Sequence, residues 1–431
     1  MSVLDIIRPK VDSAELFSTT SDSLSVSFSA GMVKSVERHH NAGTGVRVLM
    51  DKKLGFASAI GPFEEKQLAQ SVLDTAQFGE KVPFDFPQKT PVPEVNVFKE
   101  ECLKETPESM IEMGKKIIEI VRKAEPDGNL EAGVSRAIST VTVENTYGVS
   151  LLYKKTFFSI GASLERVKTD DILIVYDSFT SLAPEGAEKK VADGIVRKVE
   201  LSKRMAKVKS GRMQVLLPPE ALLTLILPLM QGINGSLIAQ GISPLLGREG
   251  EKLFDERFSM IDDGLFPNSP GSSPFDGEGV PCQRTVLIEN GILRRFIFDL
   301  KNAALCNKTS TGNARRSAAS IPTPGISTLV VQPGQTPLAE MIANMTEGIY
   351  VDSVLGHGQG NILSGAFSNS LGVAFKIENG EIVGRVKDVS IAGNVYEVLK
   401  NNIIAISKET DWVGGSLFFP NILVELPVIA K

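Results

Sequence analysis

The segment from Pro267 to Arg316 constrains the fold of this chain more than any other stretch. It opens at 269–281 with a run dense in glycine and proline, SPGSSPFDGEGVP. Neither a helix interior nor a central strand tolerates that density, so the run predicts an ordered loop. The segment closes at 310–316 with a small polar loop, STGNARR, that carries two arginines. Long glycine-rich loops between strands are often functional, so both loops are candidate sites.

Two Asn-Gly pairs are the clearest secondary-structure signals. They lie at Asn290-Gly291 and Asn379-Gly380, each between apolar runs. A type I′ turn needs positive φ at both central residues, and Asn-Gly adopts this conformation readily, so both pairs predict β-hairpins. Short strands with few crossover helices favour a β-rich C-terminal domain, sandwich or barrel-like, over residues 211–431.

Two mixed α+β units precede this domain, at 1–95 and 96–210, so the predicted fold class is α+β. In the first unit we expect a turn at 41–43, where Asn-Ala-Gly separates two apolar stretches. In the second unit, Thr106 followed by proline predicts the start of a helix.

Prolines also mark two expected helix features in the C-terminal domain. Pro228 lies inside an apolar helical pattern and is expected to kink or divide that helix. Thr336, again followed by proline, is expected to cap a helix that stops at Gly348.

Composition and charge exclude several classes of protein. A net charge of −5 gives no sign of a nucleic-acid surface. The odd number of widely spaced cysteines, three in all, indicates reduced thiols in a cytosol. The N-terminal residues lack the pattern of a signal peptide, and the most apolar run, 221–230, is shorter than the roughly 20 residues that span a bilayer. We therefore expect a cytoplasmic protein with neither membrane nor nucleic-acid partners.

Several separate motifs, in order along most of the chain, resemble the TldD/PmbA family. They are SSPFDGEGVPCQRTVLIENGIL at 272–293, STGNARR at 310–316, GTGVRV at 43–48, GHGQGN at 356–361, IENG at 377–380 and IAGN at 391–394. The family has also carried the label modulator of DNA gyrase, but this acidic chain is not expected to act by binding DNA.

The resemblance implies a zinc motif that this chain lacks. In the zinc-bearing branch, one helix carries His-Glu-x-x-x-His, in which two imidazoles bind zinc and the glutamate can act as general base. The corresponding helix here, PPEALLTL at 218–225, has no histidine. The three histidines, His39, His40 and His357, form no pair at metal-binding spacing. Glu220 is either a retained acid or a first-turn acid that suits the helix dipole. We expect no catalytic residue and no metal ligand in this chain.

The expected function follows from the branch without zinc, which is PmbA/TldE-like. Resemblance to this branch implies that the chain is one subunit of a metalloprotease that degrades peptides or unfolded proteins. The chain would form a heterodimer with a TldD-like partner, which supplies the zinc. A homodimeric, non-catalytic peptide-binding protein is one alternative. A hydrolase that uses Cys282 or Cys306 is another.

We expect the substrate-binding residues on two loops, at 310–315 and 356–361, whose main-chain groups can pair with an extended peptide. They are Ser310, Thr311, Gly312, Asn313, Arg315, Gly356, His357, Gly358, Gln359 and Asn361.

Several of these polar residues have a second, structural interpretation. His357 is either a metal ligand or a hydrogen-bonding loop residue. Arg315 and Arg316 either grip a carboxylate or are solvated or paired internally. Asp276 and Glu278 either form a functional carboxylate pair, or they accept hydrogen bonds from backbone N–H groups or bind a counter-charge.

Overall fold

The structure is a computed structural model that describes residues 2–169, 171–358 and 361–430. Its α-helices are α1 Val3–Ile7, α2 Glu65–Gln77, α3 Glu100–Leu103, α4 Pro107–Ala124, α5 Ala187–Leu201, α6 Pro219–Gly232, α7 Gly235–Ala239, α8 Leu300–Leu305, α9 Leu338–Ala343 and α10 Val395–Asn401. Its strands are β1 Ser13–Ser29, β2 Met32–Met50, β3 Lys53–Ile60, β4 Asn129–Asn145, β5 Ser150–Lys168, β6 Asp171–Ser181, β7 Gly211–Leu217, β8 Met260–Asp263, β9 Arg284–Glu289, β10 Ile292–Leu293, β11 Ala314–Arg315, β12 Thr323–Pro324, β13 Leu329–Val331, β14 Glu347–Val354, β15 Ala366–Glu378, β16 Glu381–Val386, β17 Val389–Asn394, β18 Ile403–Val413 and β19 Leu417–Ala430. Short 3₁₀ turns lie at Arg8–Lys10 and Ile362–Ser364. Within these ranges, no helix is both long enough and apolar enough to cross a membrane.

The N-terminal half is built on one six-stranded antiparallel sheet, in the order β3-β2-β1-β4-β5-β6. Strands from both predicted units share it, because β1 pairs with β4 from Glu15 to Phe28. Helices α4 and α5 cover one face with their buried apolar side chains. Thr106 caps α4 as expected, since its hydroxyl accepts the Ser109 N–H at 3.3 Å.

The predicted turn at 41–43 is wrong. β2 continues from Met32 to Met50, and Ala42 and Gly43 lie opposite Thr20 and Thr19 of β1. An unbroken row of partners on β1 therefore overrides the local turn preference of Asn-Ala-Gly.

The C-terminal half confirms the β-rich, barrel-like prediction. β7 pairs with both β14 and β19, and β19-β17-β15-β14 complete a closed ring of strands. Helix α6 packs into this domain with Leu222, Leu225 and Leu229 fully buried. It continues through Pro228 to Gly232, so the proline does not divide it.

The two predicted hairpins are confirmed. φ is 48° at Asn290 and 77° at Gly291, and 50° at Asn379 and 81° at Gly380, as a type I′ turn requires. The predicted cap at Thr336 is wrong. Helix α9 begins one residue later than expected, with Pro337 in the capping position, and Thr336 instead pairs with β18 in an isolated bridge.

A buried ionic network joins the two halves. Arg47 Nη2 lies 2.7 Å from a Glu15 oxygen, and Arg47 Nη1 lies 2.8 Å from a Glu278 oxygen. Arg316 Nη1 donates to Glu15 at 2.6 Å. Glu278 also accepts the Leu300 N–H, at the start of α8, at 2.8 Å. The network therefore fixes the 269–281 loop and the 310–316 loop against the N-terminal sheet.

Candidate functional site

The 310–316 loop forms part of the protein interior. Thr311, Gly312 and Asn313 are buried, while Ser310 is half-buried. The Thr311 hydroxyl accepts the Phe298 N–H at 2.8 Å, and Ser310 donates to the Phe298 carbonyl at 3.2 Å. These contacts hold the loop against the chain before α8.

The charged residues of this region bind mainly backbone and counter-charges, as their structural interpretation predicts. One Asp276 oxygen accepts the N–H groups of Glu278 and Val280, and the other accepts that of Ala314, at 2.9–3.0 Å. Glu278 pairs with Arg47 and Arg316 with Glu15. Arg315 donates to two main-chain carbonyls, of Ile326 at 3.0 Å and Gly271 at 3.2 Å.

The second predicted loop lies beside α6. The Nδ1 atom of half-buried His357 is 3.2 Å from the Thr224 hydroxyl, and burial lowers the pKa of this imidazole. Gly358 is exposed with φ of 72°. Gln359 lies outside the described residues. No contact in the described ranges joins this loop to the 310–316 loop, so the structure does not bring the two predicted groups together.

Gly356 and Asn361 border an open groove that runs along the first half of β15 and is called the β15 groove below. It is lined by Leu355, Gly356, Asn361, Ser364 and residues 366–370. The Asn369 amide donates to the carbonyls of Leu355 and Gly356 at 3.1 and 3.0 Å, which holds the loop at the groove wall.

A second concavity lies between the two halves, the interdomain cleft, with a volume of about 340 Å³. β6 contributes Tyr176 and Asp177, α5 contributes Lys198, α6 contributes Glu220 and β14 contributes Asp352. β6 and α5 pack into the core of the N-terminal sheet, and α6 and β14 pack into the core of the C-terminal domain, so the five polar side chains meet where the two halves join.

Opposite charges face each other in the interdomain cleft. Lys198 Nζ donates to the Tyr176 carbonyl at 2.7 Å and lies 3.5 Å from carboxylate oxygens of both Asp177 and Asp352. Burial raises the pKa of both carboxyls, and Lys198 opposes that rise. The Tyr176 hydroxyl lies 3.1 Å from Glu220. The cleft can therefore hold polar and cationic groups.

The residues on α6 do not fit the zinc of the TldD-like branch. Aligned on Glu220, the two histidines of the motif fall at Pro219 and Thr224. Proline offers no donor atom, and the Thr224 hydroxyl already contacts His357. Among the described residues, no cluster of three or more His, Cys, Asp or Glu side chains is placed to hold a metal ion.

The sequence predictions missed most of the interdomain cleft. Tyr176 and Asp177 lie on β6, which the sequence did not predict, and Lys198 and Asp352 carry no motif. Glu220 alone was singled out, from its place early in α6. The continuous apolar run at 172–175 was the available signal for β6, but nothing in the run indicates which residues this strand faces.

Comparisons with known proteins agree along the chain. Residues 210–431 match the family described as PmbA/TldA metallopeptidase C-terminal domain, and residues 14–77 match PmbA/TldA metallopeptidase domain 1. An uncharacterized protein of Methanocaldococcus jannaschii is 29% identical over 96% of both chains. The Metalloprotease TldD homolog of Haemophilus influenzae is 27% identical over 95% of this chain and 89% of its own length.

The fold agrees with a solved structure as well. TldE from Thermococcus kodakarensis superposes with a TM-score of 0.92 at 23% identity, covering 100% of this chain and 99% of that one. The C-terminal family match by itself spans more than half of the chain. The protein is therefore a member of the TldD/PmbA metallopeptidase family.

Proposed function

We propose that this chain is the PmbA/TldE-like subunit of a two-component metalloprotease, in which a TldD-like partner supplies the zinc. The observation that carries the proposal is helix α6. It carries no histidine, and when Glu220 is matched to the glutamate of the zinc motif, Pro219 and Thr224 stand where the zinc-binding histidines would be needed. A subunit with such a helix contributes substrate binding and depends on its partner for the hydrolytic water.

The β15 groove supports a role in holding an extended peptide. β17 pairs with residues 366–370 on one side. On the other side, the Ser370 carbonyl accepts the Leu355 N–H at 2.8 Å. Because N–H and C=O directions alternate along an antiparallel strand, the main-chain groups of Ser368 point to the same side as those of Ser370. On that side, pairing with β14 ends at Leu371, and the main-chain groups of Ser368 meet no main-chain partner within 2–169, 171–358 and 361–430. A peptide can therefore add there as a strand, without requiring a particular sequence.

Other features of the chain bear on the two alternatives. Cys282 is 3% exposed and donates to the Gly312 carbonyl at 3.4 Å, and burial raises the pKa of its thiol to about 11. A thiol held protonated is a poor nucleophile, which opposes a hydrolase that uses Cys282. Burial raises the pKa of the Cys306 thiol as well, which weakens the same alternative for that residue. The β15 groove fits the second alternative, a homodimeric peptide-binding protein, equally well. That alternative differs in the partner, which would be a second copy of this chain.

The proposal is tested by purifying the tagged chain from its native cell and measuring zinc in each band. We expect a second chain that carries the histidine motif and about one zinc ion, with none held by this chain. Unfolded casein should be cleaved by the mixture and by neither this chain alone nor the mixture after chelation. Cleavage by the lone, metal-free chain, or recovery of homodimers only, would contradict the proposal.

The role of the β15 groove predicts a specific loss of activity. Ser368→Pro removes one outward N–H at an edge position, where proline is tolerated. We expect kcat/KM of the mixed complex to fall about tenfold, because one main-chain hydrogen bond contributes about 1–1.5 kcal/mol. Ser368→Ala keeps the N–H and serves as the matched control. Equal kcat/KM in the two variants would remove the β15 groove from the substrate site.

A further inference from the structure

Asp262, on β8, carries a buried carboxylate that forms no ion pair within the described ranges. Its side chain is 1% exposed. It accepts the Asn313 amide at 2.6 Å and the Ser327 N–H at 2.6 Å. The positive charge of Arg315 lowers the pKa of Asp262, but the Arg315 guanidinium donates its hydrogen bonds to the main-chain carbonyls of Ile326 and Gly271. A buried charge without a paired cation is costly, so this site calls for another positive charge.

Three more buried oxygens lie on side chains next to this carboxylate. Within the described residues, Thr285 Oγ1 and Asn313 Oδ1 have no hydrogen-bond partner. Ser327 Oγ is buried as well, and its hydroxyl is close enough to lower the pKa of the Asp262 carboxyl, so its hydrogen faces Asp262 and its oxygen lone pairs remain available. Asn313 and Ser327 bond directly to Asp262, and Thr285 lies opposite Asp262 across the β8–β9 pair, on the same face of the sheet.

The Asn313 amide has a defined orientation. Its Nδ2 donates to the Asp262 carboxylate and to the Gly325 carbonyl at 3.1 Å, and both of these partners are acceptors. A flipped amide would place Oδ1 against them, so the free end is the oxygen. Thr285, Asn313 and Ser327 are 1–3% exposed, and each neighbours Asp262 through a hydrogen bond or a cross-strand pair, so their oxygen lone pairs are buried beside one carboxylate.

The donor set indicates the kind of ligand. All the free atoms are hard oxygens, which excludes soft metals that prefer thiolate or imidazole. A calcium site usually gathers several carboxylates, whereas this one has a single carboxylate and neutral oxygens. One negative charge is balanced by one monovalent cation. We propose that Asp262, Thr285, Asn313 and Ser327 bind a single alkali cation, sodium or potassium.

The site goes beyond the proposed function, because it concerns how the 310–316 loop is held. The cation would connect β8, β9, the 310–316 loop and the chain before β13. Burial raises the pKa of Asp262 to about 6, so at pH 8 the carboxylate is ionised and needs the cation. Two alternatives compete with the cation: a buried water at the site, or a protonated Asp262 that needs no counter-charge. In neither case would protein stability depend on which salt is present.

Thermal unfolding at pH 8 tests the site with three chlorides at equal ionic strength: potassium, sodium and choline. We expect Tm of the full chain to be higher by about 2–4 °C in at least one alkali salt than in choline. Asp262→Asn should abolish that difference, whereas the neighbouring control Asp263→Asn should keep it. Should Asp262→Asn fail to fold, Thr285→Val removes one ligand oxygen and should raise the cation concentration at half-effect about tenfold.

Crystals grown in rubidium or thallium chloride locate the ion by its anomalous scattering. We expect one peak within coordinating distance of Thr285 Oγ1, Asn313 Oδ1 and Ser327 Oγ. Equal Tm in all three salts would overturn the proposal. An electron-density peak at this place that lacks anomalous signal would show a buried water only, and would overturn it too.

Discussion

Replacing Arg47 with methionine is expected to lower the free energy of unfolding by about 3–5 kcal/mol. The Arg47 side chain is 2% exposed and lies between two carboxylates, Glu15 and Glu278, whose side chains are fully buried. Methionine fills much of the same volume but leaves Glu278 with no cation at contact distance. Burial already raises the pKa of Glu278 to about 8 against the effect of Arg47, so without Arg47 this carboxyl must either stay charged and unpaired or take up a proton, and both add to the loss of the ion pairs.

Urea unfolding of purified variants measures the effect. Arg38→Met is the matched control, because the Arg38 side chain is 69% exposed and pairs with Asp22 at the surface. We expect it to cost less than about 1 kcal/mol. The double variant Arg47→Met, Glu278→Gln should recover part of the loss, since the glutamine carries no charge. A loss in Arg47→Met no larger than in Arg38→Met would show that the network does not hold the two halves together.

Gly312→Ala is expected to destabilise the protein by about 3 kcal/mol or more, whereas Gly358→Ala should cost about 1 kcal/mol. Both glycines have positive φ, 70° and 72°, so the conformational strain of an alanine is similar in the two variants. The surroundings differ. A Cβ at Gly312 would lie 2.4 Å from the Pro281 carbonyl oxygen, and one at Gly358 would meet nothing closer than 3.5 Å.

The pair of variants also decides which loop can report on substrate binding. Circular dichroism and urea midpoints should show Gly358→Ala folded at 37 °C and Gly312→Ala partly unfolded. Reduced cleavage by a mixed complex with Gly358→Ala would then concern the site, while a loss with Gly312→Ala would reflect folding. Equal stability of the two variants would show that the backbone around Pro281 can move aside.

Local signals in the sequence predicted the parts of the fold that local geometry determines. Asn290-Gly291 formed a hairpin because its two residues adopt positive φ readily. Thr106 capped α4 because its hydroxyl reaches a free N–H two to three residues on. The turn at 41–43 and the cap at Thr336 failed for the opposite reason: partners on β1 and β18, distant in sequence, determine both conformations.

The candidate site was harder to predict, because its residues become neighbours only in the tertiary structure. Glycine and proline density correctly marked the 269–281 run as an ordered loop, but the small polar residues at 310–316 could not distinguish a loop packed in the interior from one at a surface groove. Tyr176 and Asp352 meet because β6 and β14 belong to different sheets that come together at the interdomain cleft. Resemblance to the family supplied what spacing could not, namely the expectation that α6 corresponds to the zinc helix of the other branch.

The closed ring of strands has a consequence for how the chain is made. β7, at 211–217, needs β19, at 417–430, as one of its two neighbours. The ribosome must add about 200 residues between them, which takes roughly 10–40 s. During that interval the apolar surface of α6 lacks its final cover, and closure of the ring then requires contacts of very long sequence separation, which form slowly. Newly made chains are therefore expected to need a chaperone at this stage, long after the N-terminal sheet has formed.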